Sequence, residues 1–387
     1  MNPHRLKQLR LARGLTLEAL AASMGGVVTK QALSKYEQGK TNPSVRVLAK
    51  LASALGVKTA HLWSAPEVDI RFIAYRKGAG LSKRDQEQVE GLVAQTLEER
   101  IRLQTLLEKT NGNKCDIPIQ FFRVRSLEDG EEAACELRRT WRLGSAPIAS
   151  VTGVLESHHV HVIEINAHEK FDGISAVASA DETPIAAAVV CRRPLSGERQ
   201  RINLVHELGH LVLKVAENVD EEKAAFRFAK AFLAPAETLR KDIGEKRTSV
   251  RLTELLLLKQ KFGMSLQALV YRLRELEIIN QSHYDQWWVD IRRLGWKKKE
   301  PSELAHEQPL WLQESLLRAL AEGLIGQKEA DQLLGTESGM KPPLSLIEKR
   351  AFMELPLEQR RKLLAEEAER MSSYYEKTSD WKDFLDR

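Results

Sequence analysis

The sequence predicts a mainly α-helical protein of the α+β class, with a helical bundle first, a small sheet in the middle and a helical extension last. Three observations support this prediction. The first 63 residues divide into five short segments of helical periodicity, which are separated by glycine turns or a proline. From Val160 the apolar residues alternate with a period of two, as in strands. After Pro235 the predicted elements are helical again.

Composition indicates an ordinary globular protein of two or three domains. Of its 387 residues, 43% are apolar and 29% are charged, which excludes a disordered or membrane-embedded chain. Three widely spaced cysteines exclude a disulfide framework or a cysteine-rich zinc site, and they fit a reducing compartment. The chain starts without a secretory leader, and no apolar run reaches the roughly 18 residues that span a bilayer. We therefore expect a cytoplasmic protein.

The first predicted domain, residues 1–66, contains a helix-turn-helix pattern. Residues 16–24 and 29–38 each begin with a threonine cap, end at glycine and are joined by a short turn at Gly25 and Gly26. The second helix of such a motif enters the major groove of DNA with its first residues on base edges. The polar residues predicted to contact DNA there are Thr29, Lys30, Gln31, Ser34 and Lys35.

Positive charge is concentrated in this domain. Residues 1–66 hold ten Lys and Arg and two acidic residues, a net charge of +8, whereas the whole chain carries +5. A basic domain joined to a nearly neutral remainder indicates a polyanionic partner for that domain alone. We expect double-stranded DNA. Because one helix-turn-helix contacts only a half-site, we also expect a homodimer on a palindromic operator.

The run TKQALSKYEQGK, followed two residues later by Pro-Ser, resembles the XRE/Cro type of DNA-binding domain. The resemblance implies that Lys30, Gln31, Ser34 and Lys35 contact bases or phosphates. The turn before this run is about one residue longer than is common. A helical bundle used for protein contacts is the alternative interpretation.

The second predicted domain, residues 67–280, begins with a basic stretch and a long charged helix near residues 83–108. A further helix is predicted at residues 131–141. Strands are predicted at residues 161–165, 174–179 and 184–191, and they form a small sheet against the helix of the central motif. An edge of this sheet could align a peptide substrate through main-chain hydrogen bonds.

The central motif lies in residues 201–213, an apolar helix interrupted by His206, Glu207 and His210. Residues four apart lie on one face of a helix, so the two imidazoles can direct ring nitrogens at one metal ion, and neutral imidazoles suit zinc. Glu207 would stand beside the activated water, where a carboxylate can take a proton and later pass it to a leaving amine. This is the H-E-x-x-H pattern of zinc peptidases.

A catalytic zinc site needs a third protein ligand and one open position. A second helix is predicted from Asp220 up to the stop at Pro235, and Ala225 and Ala229 would let it lie close to the first helix. A carboxylate from its first turn would then face the two imidazoles.

The run GERQRINLVHELGHLVL, followed by EKAAFRFAKAFLAP, resembles the ImmA/IrrE family of bacterial metallopeptidases. The resemblance covers about residues 67–280 and implies a zincin-like peptidase domain. It also implies zinc ligands at His206, His210 and Glu222, with Glu207 as the general base.

Two residues depart from the family pattern. Phe226 stands where many members have Asn or Asp, and Lys214 stands where they have a histidine. Loss of a group that supports a metal ligand can weaken metal binding or activity about 10- to 100-fold. The possible substitutes for Glu222 are Glu217, Asp220 and Glu221.

Several other features favour structural interpretations. Four histidines, at positions 158, 159, 161 and 168, have no carboxylate at helical spacing, so we interpret them as surface or packing residues. Residues 252–261 and 266–276 outline a second helix-turn-helix, as in IrrE-like members, but Leu266, Gln267 and Val270 offer poor base-reading chemistry.

The third predicted domain, residues 281–387, is a helical extension. It has an aromatic segment near Trp287 and Trp288, a linker at residues 341–343 and two tail helices that are broken at Pro356. The narrow apolar stripe of the tail indicates docking, either on its own chain or on a partner protein.

Two functions agree with these features. The first is a transcriptional regulator joined to a zinc-dependent endopeptidase that cleaves a repressor or itself under stress. The alternative is a regulator or antitoxin-like protein whose peptidase fold serves only as a sensing or dimerisation module.

Overall fold

Helices make up most of the structure, a computed structural model that describes residues 1–63, 68–75, 81–111, 117–338, 356 and 359–361. These residues also form a four-stranded and a two-stranded sheet, so the predicted mainly α-helical α+β class is confirmed. The chain divides into two compact units, Met1–Ala330 and Asp331–Arg387. The predicted linker and nearly all of the predicted tail helices lie outside the described residues.

The N-terminal bundle is built from short, capped helices. A side-chain oxygen at the start of each of the four α-helices accepts a backbone N–H of the first turn, which satisfies a donor that the helix itself leaves open. Leucines that are wholly inaccessible to solvent, such as Leu9, Leu33 and Leu51, fill its centre. The elements are α1 Pro3–Ala12, α2 Leu17–Ser23, α3 Lys30–Glu37, α4 Val45–Ala54 and a 3-10 turn, Thr59–Leu62.

A long helix, α5 Lys83–Asn111, supports this bundle. Arg5 of α1 forms an ion pair with Glu98, and an Arg84 nitrogen donates to the carbonyl oxygen of Gly14 at 2.7 Å. A Cβ at Gly91 would lie 2.9 Å from the backbone nitrogen of Ala12, so only glycine lets the two helices come this close. The bundle is therefore seated directly on α5.

The larger sheet has the strand order β1-β4-β5-β3. Strand β4 runs antiparallel to both of its neighbours, whereas β3 and β5 are parallel. The smaller sheet is a parallel pair, β2 with β6. The strands are β1 Asp69–Tyr75, β2 Phe122–Val124, β3 Val160–Asn166, β4 Gly173–Ala180, β5 Thr183–Arg193 and β6 Leu213–Val215.

Alternation along the strands places apolar side chains on both faces of the larger sheet. On one face, residues such as Val162, Val177 and Val189 join the main core. On the other face, residues such as Ile163 and Ile174 join a second core under α5. Burial on both faces explains why these strands are nearly continuous apolar runs.

Strand β1 was absent from our prediction, which placed only a basic stretch before the long helix. Its alternating residues Ile70 and Phe72 are partly buried in the second core. The signal was weak because the alternation ends at Phe72, which is followed by two more apolar residues, Ile73 and Ala74, at the irregularity in the strand pairing. The other three strands lie close to their predicted positions.

Helices α6 to α13 contribute residues to the main core, whereas α14 contacts α5. Helix α8 crosses the sheet face opposite α5, and α9 packs along α8. The helices are α6 Leu127–Thr140, α7 Val151–Ser157, α8 Gly197–Val212, α9 Glu221–Leu233, α10 Ala236–Ile243, α11 Leu252–Phe262, α12 Leu266–Glu275, α13 Gln281–Arg293, α14 Trp311–Ala321 and α15 Gln327–Ser338. Among the helices that the structure describes, none is both long and apolar enough to cross a bilayer.

Residues beyond 280 contribute to the same core. Trp287 of α13 is buried in it, and a Cβ at Gly197 would lie 2.2 Å from the carbonyl oxygen of Ala305. The side chain of Glu307 pairs with Arg201 of α8. The predicted domain boundary at residue 280 stays a prediction. The segment after it contacts the first turn of α8 and stabilises its position.

We predict that Lys259→Met destabilises the protein by about 3 kcal/mol, because removing one partner of a buried ion pair leaves an uncompensated charge. The Lys259 ammonium is wholly buried and lies 2.7 Å from Glu198 and 2.9 Å from Glu300. Urea unfolding followed by circular dichroism measures the change.

Lys261→Met is the matched control. This lysine lies two residues further along α11, is 44% exposed and pairs only at the surface with Asp242. Its loss should change stability by less than about 1 kcal/mol. Equal effects of the two substitutions would contradict a structural role for the buried ion pair.

Candidate metal centre

Helix α8 presents two imidazoles to one point. His206 and His210 are 1% and 3% exposed, and their Nε2 atoms lie 3.1 Å apart. The rings are almost perpendicular, with an interplanar angle of 85°. One helical turn separates the residues, as the four-residue spacing requires.

A close helix contact brings a carboxylate to the same point. A Cβ at Gly209 would lie 3.3 Å from the Cα of Ala225, so the pairing of a glycine with a small residue lets α9 approach α8. Glu222, one turn before Ala225, then places one oxygen 3.3 Å from His206 Nε2 and the other 3.5 Å from His210 Nε2. The side chain of Glu222 is 46% exposed, so solvent reaches the site from this side.

These distances fit a zinc ion. A tetrahedral ion held at 2.0–2.1 Å by nitrogen and oxygen ligands separates its ligand atoms by about 3.4 Å. The two Nε2 atoms lie 3.1 Å apart, and a different oxygen of the Glu222 carboxylate faces each of them, at 3.3 and 3.5 Å. Two imidazoles with one carboxylate are also a donor set that zinc accepts in catalytic sites, where the fourth position stays open.

The three other acids considered as ligands have different positions. Asp220 caps α9 by accepting the backbone N–H of Lys223 at 3.1 Å. Glu221 lies 3.2 Å from His210 Nδ1, the ring nitrogen that faces away from the convergence point. Among the described residues, Glu217 is not part of the cluster, which consists of His206, His210 and Glu222.

Charge balance at the site shifts two pKa values. Burial lowers the pKa of His210, but hydrogen bonding to Glu222 and the nearby charge of Glu207 more than offset this, so the net pKa is raised. The same contacts with His206 and His210 hold the pKa of Glu222 well below its usual range. The carboxylate is therefore ionised and ready to bind a cation.

Glu207 is 2% exposed and is held from the sheet side. The wholly buried Ser175 places its hydroxyl 2.7 Å from Glu207 Oε2, so it can donate to the carboxylate. A Cβ at Gly173 would lie 2.7 Å from Glu207 Oε1, so glycine leaves room for this carboxylate. Sequence reasoning missed both residues of β4, because nothing local connects them with Glu207, which lies 32 residues after Ser175.

The two departures from the family pattern differ in position. The ring of Phe226 covers one side of His206, with ring centroids 4.1 Å apart. Lys214 is exposed in β6, where it pairs in register with Arg123 of β2. Phe226 therefore gives the candidate site an apolar wall at the position where the family that the sequence resembles often has a polar side chain.

The candidate DNA-contacting residues lie at the start of α3. Thr29 caps the helix by accepting the backbone N–H of Ala32 at 3.2 Å. Lys30 is 54% exposed and forms an ion pair with Glu18 of α2. Gln31 and Lys35 are exposed and Ser34 is partly exposed, whereas Leu33 is buried in the bundle. The five polar residues therefore lie on the outer side of the bundle.

Two of the four histidines of residues 158–168 contact other side chains within the fold. His158 stacks on Trp141 with ring centroids 4.2 Å apart, and His161 is 3% exposed and lies 2.9 Å from Gln104. The second predicted helix pair, α11 and α12, buries Leu266 and Val270 in the main core. Among the described residues, none of the four histidines belongs to a group that could hold a metal ion.

Comparisons with known proteins give two matches to family models and one to a curated protein. Residues 6–62 match the helix-turn-helix model, and residues 156–274 match the IrrE N-terminal-like domain of peptidase family M78. Over 58 residues the chain is 40% identical to a Bacillus subtilis (strain 168) protein described as an SPbeta prophage-derived uncharacterized HTH-type transcriptional regulator, YonR. The matched stretch covers 15% of this chain and 52% of the curated relative. The chain therefore spans about half the length of that relative.

Proposed function

Because this chain joins a helix-turn-helix domain to an IrrE-like domain of peptidase family M78, we propose that it is a DNA-binding transcriptional regulator carrying a zinc-dependent endopeptidase. The observation that carries the enzymatic part is the convergence of three ligand atoms, from His206, His210 and Glu222, with Glu207 next to them. The DNA-binding part is supported by the +8 charge of residues 1–66 and the polar outer side of α3.

In this proposal His206, His210 and Glu222 would hold zinc, and a bound zinc ion would lower the pKa of a water molecule and polarise a peptide carbonyl. Glu207 takes the proton of the attacking water and returns it to the leaving amine. Ser175 of β4 is wholly buried, and its hydroxyl donates to Oε2 of Glu207. This hydrogen bond fixes the orientation of the carboxylate. The 46% exposure of Glu222 lets a substrate approach from solvent.

We propose further that the substrate is a protein, either a repressor or another copy of this chain. Recognition of a palindromic operator by a homodimer follows from the half-site geometry of the motif. Residues 344–387, most of which lie outside the described residues, are proposed to bind a protein partner, and the chain is proposed to act in the cytoplasm.

Chelation tests the metal dependence. We expect 1,10-phenanthroline to abolish hydrolysis of fluorogenic casein by the full chain, and one molar equivalent of zinc to restore it, because a chelator can bind zinc at the open fourth position of a site with three protein ligands. Retention of duplex DNA in the same samples should not change, since α3 holds no ligand of the site. Hydrolysis that persists after the zinc content has fallen to zero would contradict the proposal.

For DNA binding, we expect Lys30→Ala with Lys35→Ala to weaken retention of genomic duplex fragments and to lower the slope of log affinity against log salt by about 2. The reason is the loss of two cations that displace counterions from DNA. Fluorescence anisotropy over a salt series measures the slope.

The matched control is Lys50→Ala with Lys58→Ala, which removes the same charge from exposed positions away from α3. This variant should lose less affinity than the α3 variant. If both pairs lower affinity equally, the positive charge of the bundle as a whole binds DNA, and α3 has no special role.

A further inference from the structure

We propose that β4 is the strand on which a peptide substrate pairs, and that β1, from the segment between the bundle and α5, occupies this place in the resting chain. The proposal rests on the proposed peptidase function and adds where the substrate binds and what must move first. Strand β1 thus blocks the position at which the substrate would pair with β4.

Strand β4 is the part of the sheet that contacts Glu207. Ser175 donates to Glu207 Oε2 at 2.7 Å, and Gly173 lies against the other oxygen of the same carboxylate. A peptide that adds to the side of β4 facing away from β5 would bring its main chain beside Ser175 and Glu207. Strand addition binds extended peptides through main-chain hydrogen bonds, without requiring one particular sequence.

That side of β4 is paired with β1 in the structure. The two strands run antiparallel, from Asp69 opposite Ser179 to Tyr75 opposite Ile174, and Ala74 lies opposite Ser175. An added peptide would form the same hydrogen bonds with β4. It cannot pair there while β1 is in place.

Strand β1 is held less firmly than its neighbours. In the described sheet it lies at the edge and pairs with one strand only, whereas β4 pairs with a strand on each side. Ile70 and Phe72 are only partly buried, whereas their partners in β4, Ala178 and Ala176, are wholly buried. Local opening free energies follow buried contacts, so β1 should detach before β4 separates from β5.

The position of β1 in the chain connects it with the DNA-binding bundle. The strand begins seven residues after the 3-10 turn that ends with Leu62, and α5, on which the bundle is seated, follows it. The bundle is fixed to α5 through the Arg5–Glu98 ion pair and the close contact at Gly91. An event that moves the bundle off α5 would therefore pull on β1.

A reversible covalent lock tests the proposal in the full chain. Asp69→Cys with Ser179→Cys joins two residues that face each other in the β1–β4 pair, where Cα separations of about 4.5–5.5 Å suit a disulfide. Casein hydrolysis by the oxidised variant should be at least tenfold slower than by its reduced form, and dithiothreitol should restore the rate. The single Asp69→Cys variant should respond to neither treatment.

A binding measurement keeps the test independent of catalysis. The probe is a fluorescein-labelled peptide with the sequence of residues 68–75, Val-Asp-Ile-Arg-Phe-Ile-Ala-Tyr. On a Glu207→Gln background, Ile70→Ser with Phe72→Ser weakens the internal strand and should raise the affinity for this peptide at least tenfold. The oxidised lock on the same background should bind it at least tenfold more weakly than the reduced form.

The outcomes separate the two proposals. If the oxidised lock binds the peptide more weakly than the reduced form but no form hydrolyses casein, the proposed peptidase function is wrong and the strand proposal is supported. If casein is hydrolysed equally fast in the oxidised and reduced forms, substrates do not replace β1 and the strand proposal is overturned. The strand proposal is also overturned if the peptide binds equally, or not at all, to all forms.

Discussion

Glu207→Gln should lower the rate of casein hydrolysis by about 10³-fold while leaving the zinc content at that of the wild type. Glutamine keeps the size of the side chain and an oxygen that can accept from Ser175 Oγ, which lies 2.7 Å from Oε2 in the wild type. It cannot take a proton from water. The three ligand atoms that meet at the site come from other residues, so metal binding should be retained.

The control for this charge change is Glu217→Gln. Glu217 is exposed and, among the described residues, lies outside the metal cluster, so its rate should match the wild type. Casein hydrolysis and zinc content are measured on the same preparations. A wild-type protein that holds zinc but is no faster than Glu207→Gln would favour the alternative function, in which the peptidase fold serves only for sensing or dimerisation.

Glu222→Gln should weaken zinc binding by more than about 100-fold, which is the upper end of what loss of a supporting group costs. The carboxylate lies 3.3 and 3.5 Å from the two Nε2 atoms, and its lowered pKa keeps it charged. A neutral amide removes this charge and leaves two imidazoles. Competition with a chromophoric chelator gives the zinc dissociation constants.

The neighbouring acid provides the matched control. Glu221 is 58% exposed and lies 3.2 Å from His210 Nδ1, where a carboxylate orients a ligand instead of binding the metal. Glu221→Gln should therefore weaken zinc binding by no more than about 10- to 100-fold. If zinc binding is weakened more by Glu221→Gln than by Glu222→Gln, the assignment of Glu222 as the third ligand is wrong.

Residue spacing and helix-capping patterns were sufficient to predict the positions of residues that lie within one helix. The spacing of His206 and His210 placed both rings on one face, and the caps at Thr16 and Thr29 placed the starts of α2 and α3. The alternation over residues 161–165 placed β3, since period two is a property of the local backbone.

Local rules failed where two distant segments had to meet. Four neighbouring acids had the right chemistry for a third ligand, and the sequence left three of them open beside Glu222. A difference of one residue turns a helical side chain by about 100°, so only the approach of α9 to α8 at Gly209 distinguishes Glu222 from Glu221.

The sequence by itself determined that a basic helix-turn-helix bundle precedes an H-E-x-x-H helix, because both are short-range patterns of charge, caps and helical period. Only the tertiary structure decided that Ser175 reaches Glu207 and that β1 covers the free side of β4. Such contacts depend on how helices and strands pack across long stretches of chain. That packing is set by the shape of the whole core and by no single segment.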